Sequence, residues 1–163
     1  MFIAELDREA VATRRALAQV PDGRADWKPH EKSMPFGYLA TLVATMPAWI
    51  VMMVQQDSLD FNPPGGSKWE RPSPKNAAEL VEALDQSVAQ AKAALANTTD
   101  EHLLTGWKLL NGGVPVSEQP RHLAIRDGVI NHWAHHRGQL TVYLRLNEAK
   151  VPSIYGPSAD EPR

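Results

Sequence analysis

The chain of 163 residues contains no cysteine. Disulfides, thiolate metal ligands and a cysteine nucleophile are excluded, so any thiol chemistry would take its thiol from a cosubstrate. Nor is there an excess of one charge: 17 Lys and Arg stand against 19 Asp and Glu, a formal net charge of −2. Such a chain has no electrostatic pull toward phosphate backbones or anionic lipid, and neither nucleic acid nor membrane is an expected partner. The longest apolar stretch, near Met46–Val54, is too short to span a bilayer. The opening MFIAELDREAVATRR has acids among its first seven residues and no apolar run, which does not fit a signal peptide. A cytoplasmic location is the expectation. No GxxxxGKS or GxGxxG phosphate cradle occurs, and no serine stands in a nucleophile-elbow pattern.

What is present is the composition of an ordinary globular protein, 43% hydrophobic and 22% charged. The length suits one domain over 1–163, since two would each be poorly cored.

Four segments carry helical periodicity. The first covers roughly Phe2 to Gln19, with Ile3, Leu6, Ala10 and Leu17 on one face, and ends at Pro21–Gly23. The second starts after Ser33 as N-cap, with Pro35 in its first turn. Its apolar face is Leu39, Val43, Met46, Ile50 and Met53, and Pro47 predicts a kink inside it. Ser58–Ser73 reads as a loop. In the third, Asn76 and Glu79 fit an Asn version of the capping box, and Leu80, Leu84, Val88, Ala91 and Leu95 recur up to Asn97. Thr98–Pro120 reads as loop, with Gly112–Gly113 a turn and Trp107–Leu110 a short extended run. The fourth runs from about Arg121 to Asn147, with Ile125, Val129, His132, Trp133, His136, Leu140, Tyr143 and Leu144 in one stripe. The expected fold is all-α: an antiparallel four-helix bundle with long loops and an irregular C-terminal tail. The five tryptophans read as core and loop anchors.

His132 and His136 are four residues apart, so their imidazoles stack on one helix face and can reach one metal ion. Two core histidines hydrogen-bonded to neighbours would give the same pattern. His135 points about 100° away from His136 and cannot join the same site from a regular helix. His30, His102 and His122 read as surface polar residues rather than ligands.

The run NHWAHHRGQLTVYLRLNEAKVPSIYGPSADE strongly resembles the DinB family, the DinB/YfiT-like bundle proteins. The stretch DWKPHEKSM, followed by an L-A-T-x-V-A helix, matches the same family. The resemblance spans almost the whole chain. It implies a four-helix bundle, commonly a homodimer, with a three-histidine metal site. Two of those ligands match His132 and His136, and the third comes from an L-A-T-H-V-A pattern on the second helix. Here that pattern places Leu42 at the ligand position. Leucine cannot coordinate, so divalent metal such as zinc or nickel is expected to bind weakly or not at all.

Two functions follow from the resemblance. One is a metal-dependent thiol transferase-like enzyme acting with a low-molecular-weight thiol. The other is a non-catalytic or stress-associated protein with a vestigial metal site. Its pocket for an apolar small molecule would be lined by Leu42, Met46, Trp49 and Trp133.

Overall fold

The computed structural model describes residues 1–66 and 72–161. Its helices are α1 (Phe2–Leu17), α2 (Phe36–Thr45), α3 (Trp49–Gln55), α4 (Ala77–Ala96), α5 (Asp100–Leu104), α6 (Arg121–Ile125) and α7 (His132–Leu146). Its strands are β1 (Ser58–Asp60), β2 (Gly106–Asn111) and β3 (Val114–Pro120). The architecture is therefore α+β, and the all-α expectation is corrected. The segment expected to be loop, Thr98–Pro120, forms α5 and two strands of a mixed sheet ordered β1-β2-β3, with the expected extended run Trp107–Leu110 inside β2 and the expected turn at Gly112–Gly113.

The sheet forms because a two-residue turn allows it. Gly112 and Gly113 have φ of 61° and 81°, the left-handed geometry that closes a tight hairpin between Asn111 and Val114. Asp60 ties β1 to that turn by accepting the backbone N–H groups of Gly112 and Gly113 at 3.0 and 2.6 Å. β1 then runs parallel to β2, with Leu59 opposite Leu109.

The core lies between α1, α2, α4 and α7, which pack on one another. Leu6, Leu17, Leu39, Leu84, Ile125, Leu140 and Leu144 are fully buried there. On the first helix, Leu6, Ala10 and Leu17 take the core face as their spacing predicts. The α4 start also matches: Asn76 Oδ1 accepts the Glu79 N–H at 2.9 Å. The Glu79 carboxylate reaches Lys75 N and Asn76 Nδ2 rather than the Asn76 N–H. Ser33 is not the cap of α2, because its N–H bonds to His30 and Pro35 takes the cap position.

Pro47 breaks the second helix as expected, and Met46–Ala48 is a 3₁₀ turn between α2 and α3. Proline has no N–H to give the carbonyl four residues back, which is that of Val43. Trp133 Nε1–H on α7 bonds to that carbonyl instead, at 2.8 Å. The Ser87 hydroxyl on α4 repairs the rest of the break, accepting from Ala48 N and donating to Thr45 O. By length and composition the whole run Phe36–Gln55 could cross a membrane, but most of it is buried as the core helix of the fold.

The loop expected at Ser58–Ser73 opens with β1, and its Ser67–Arg71 portion lies outside the described residues, with Trp69 among them. The tail is irregular as expected but strapped down as far as Glu161, with Pro162 and Arg163 outside the description. Arg137, 1% exposed, donates to the Glu9 carboxylate at 2.6 Å, to Thr13 Oγ1 and to the Tyr155 hydroxyl. Tyr155 in turn donates to Glu9. Asp160 pairs with Arg145, and Glu161 with Arg15. Arg137 of the HHRGQL motif and Tyr155 of YGPSADE thus meet at the buried Glu9.

Candidate functional site

Between α6 and α7 the backbone widens into a π-helical turn, Arg126–Asn131. Such turns insert a residue and shift the side chains that follow. The predicted stripe nevertheless holds: Ile125, Val129, Trp133, His136, Leu140, Tyr143 and Leu144 are all buried, and His132 is half-buried.

His132 and His136 meet as their spacing predicts, with Nε2 atoms 2.8 Å apart and ring centroids 4.5 Å apart. His136 Nδ1 lies 2.8 Å from Gln139 Oε1. The amide oxygen can only accept, so Nδ1 carries the proton and His136 Nε2 accepts from His132 Nε2–H. Gln139 Nε2–H continues the chain to His135 Nε2 at 3.0 Å. His135 is exposed, but its ring meets that of His136 edge-on with centroids 5.1 Å apart, closer than its helical angle predicts, and Gln139 links the two as well. Burial lowers the His136 pKa, the bond to Gln139 opposes this, and the neighbouring His132 and His135 lower it further, for a net fall.

The donor set does not fit a resident divalent ion. His132 and His136 would supply two imidazole nitrogens to such an ion, and the position expected to supply the third holds Leu42, which has no donor atom. Among the described residues no group of three His, Cys, Asp or Glu could hold a metal. Leu42, 9% exposed, lies in the core on α2 beside Val43, whose carbonyl receives Trp133. Of the other histidines, His30 accepts from Lys32 N, His102 Nε2 bonds to Val54 O, and His122 Nδ1 lies 3.2 Å from Leu103 O.

His132 also forms part of the wall of a cavity of about 460 Å³ between α3, the sheet and the π-turn. Trp49, Met52 and Met53 form the helical side, and Leu59, Phe61, Trp107 and Leu109 the sheet side. Ala124 and Gly128 close it toward α7, while Asp60, Ser117 and Gln119 add polar groups. Trp49 approaches His132, with ring centroids 6.1 Å apart. Of the four residues named as pocket from sequence, Trp49 lines this cavity. Leu42, Met46 and Trp133 are packed in the core.

Arg121 holds this wall in place and had no sequence signal beyond its charge. It is 2% exposed and donates to Met53 O at 2.8 Å, to Gln56 O, to Thr105 Oγ1 and to the Asp57 carboxylate. It thereby caps the C-terminus of α3 and anchors it to the start of α6.

The site is an aromatic-lined, mostly apolar cavity with His132 of the histidine pair in its wall, on a helical α+β scaffold. The chain belongs to the DinB superfamily, whose family model matches residues 5–140. It is similar to the uncharacterized protein YrdA of Bacillus subtilis (strain 168), 26% identical over 160 residues, covering 98% of this chain and 89% of that one. A solved DinB-like protein from Bacillus cereus ATCC 10987 superposes with a TM-score of 0.71 at 21% identity, covering 94% of this chain and 95% of its own. Another, the DinB-like protein YjoA from Bacillus subtilis, gives a TM-score of 0.69 at 16% identity, covering 99% and 98%. These likenesses establish the fold.

Proposed function

We propose that this DinB-superfamily protein binds an apolar small molecule in the cavity between α3, the sheet and the π-turn, with His132 as its polar head. The observation that carries this reading is that His132 belongs to the cavity wall while His136 fixes its ring from behind. The cavity falls within the ordinary size range of small-molecule sites, mostly apolar with a few convergent polar groups. A low-molecular-weight thiol, with its charged ends, matches that lining poorly. The thiol-transferase reading also needs a metal to activate the thiol, and two imidazoles are a poor platform for one.

Titration with a neutral apolar fluorophore such as Nile red tests the proposal. Saturable one-to-one binding is expected, weakened at least about tenfold by Gly128→Val, which fills the cavity from the π-turn. Circular dichroism confirms that the variant is folded. Absence of saturable binding, or equal binding by both proteins, contradicts the reading.

A further inference from the structure

We propose that the cavity selects its ligand by charge, accepting uncharged or cationic molecules with an apolar, ring-bearing body and rejecting organic anions. This rests on the reading of the cavity as a ligand site and names the ligand class of that same site.

Moving an anion from water into an apolar cavity is costly unless a cation or several hydrogen-bond donors receive it. Among the described residues of this wall none is Lys or Arg, and its side-chain donors are the neutral groups of Trp49, Trp107, Ser117 and Gln119 beside His132. The wall instead carries the Asp60 carboxylate and the rings of Trp49, Phe61 and Trp107. Aromatic faces are electrostatically negative and attract cations.

Asp60 is fixed in place. It accepts backbone N–H groups from Asn62 at 3.0 Å, Gly112 at 3.0 Å and Gly113 at 2.6 Å. A carboxylate offers about four acceptor positions, so roughly one remains for a ligand N–H or O–H. The three bonds satisfy lone pairs but leave the full negative charge. Its charge at the rim of the cavity therefore disfavours a carboxylate ligand and favours an ammonium.

Three naphthalene probes of one shape separate charge from size: 2-naphthylmethylamine as cation, 2-naphthylmethanol as neutral and 2-naphthoate as anion. Each is titrated by calorimetry at pH 7.5 into the full chain, into Ser117→Lys and into Gly128→Val. Ser117 lies on the exposed strand β3 and lines the cavity, so the lysine adds a cation without touching the hairpin turn. The expected result is that amine and alcohol bind the unaltered protein, with naphthoate at least about tenfold weaker. Ser117→Lys should narrow or reverse that gap, and Gly128→Val should weaken all three. If all three bind equally and Gly128→Val weakens them together, the cavity is a ligand site but the charge inference is wrong. If no probe binds, or Gly128→Val changes nothing, the cavity reading fails and the charge inference fails with it.

Discussion

Trp133 donates its indole N–H to the carbonyl of Val43, which Pro47 leaves without its usual helical donor. One missing hydrogen on α2 is thus supplied from α7, immediately beside His132. Removing the donor leaves a buried carbonyl unsatisfied, which costs about 1–3 kcal/mol. Trp133→Phe should therefore destabilise the protein by roughly that amount plus lost packing. In the Pro47→Ala background residue 47 regains an N–H for the Val43 carbonyl, and Trp133→Phe should cost less. A double-mutant cycle in urea measures the difference, and additive effects would contradict the link.

The strap formed by Glu9, Arg137 and Tyr155 predicts a pH response. Burial raises the Glu9 pKa, but hydrogen bonds from Tyr155 and Arg137 outweigh it and hold the carboxyl below its ordinary value. A carboxyl depressed in the folded state stabilises above its unfolded pKa, about 4.3 for glutamate, and loses that contribution as pH falls through the folded value. Stability should decline with acid from about pH 4.3 downward, and Glu9→Gln should flatten that decline. Arg137→Ala removes the buried guanidinium from Glu9, leaving its carboxylate only Tyr155 and the exposed Arg8, and should cost about 3–5 kcal/mol. Thermal melts between pH 2 and 7 test both.

The helices were legible because their burial is one-sided and periodic, and the stripe from Ile125 to Leu144 survives even a π-turn. Of the sheet only the extended run Trp107–Leu110 and the Gly112–Gly113 turn were legible, because β1 has only three residues and β3 is largely exposed with prolines at 115 and 120. The available signal was Asn111-Gly112-Gly113 between Leu110 and Val114, a two-residue hairpin pattern. Without the sheet the cavity is not locatable, and of the pocket residues named from sequence Trp49 lines it while Leu42, Met46 and Trp133 pack in the core. The buried roles of Arg121 and Arg137 depend on partners far away in sequence, such as Glu9, and no local pattern encodes them.

The hairpin should be sensitive at its turn. Gly113→Val places a branched side chain at a positive φ and should cost about 1–2 kcal/mol. It should also loosen Asp60 and weaken ligand binding. Equal stability and equal probe affinity would contradict the turn's role in shaping the cavity.

Restoring a third imidazole tests the ligand count at the histidine pair. The unaltered chain is expected to bind zinc and nickel weakly, and Leu42→His should tighten binding by at least about tenfold. Calorimetric titration of protein purified without a nickel column decides this. Tight binding by the unaltered chain would show that another group completes the shell.

The proposed ligand enters the cavity beside His132 and not the core beside Leu42. Indole N–H resonances report this directly, because Trp49 and Trp107 line the cavity while Trp133 is locked to Val43. Titration of the labelled protein with 2-naphthylmethanol should shift the Trp49 and Trp107 signals and leave that of Trp133 in place. Movement of the Trp133 signal with Trp49 and Trp107 unchanged would contradict the account.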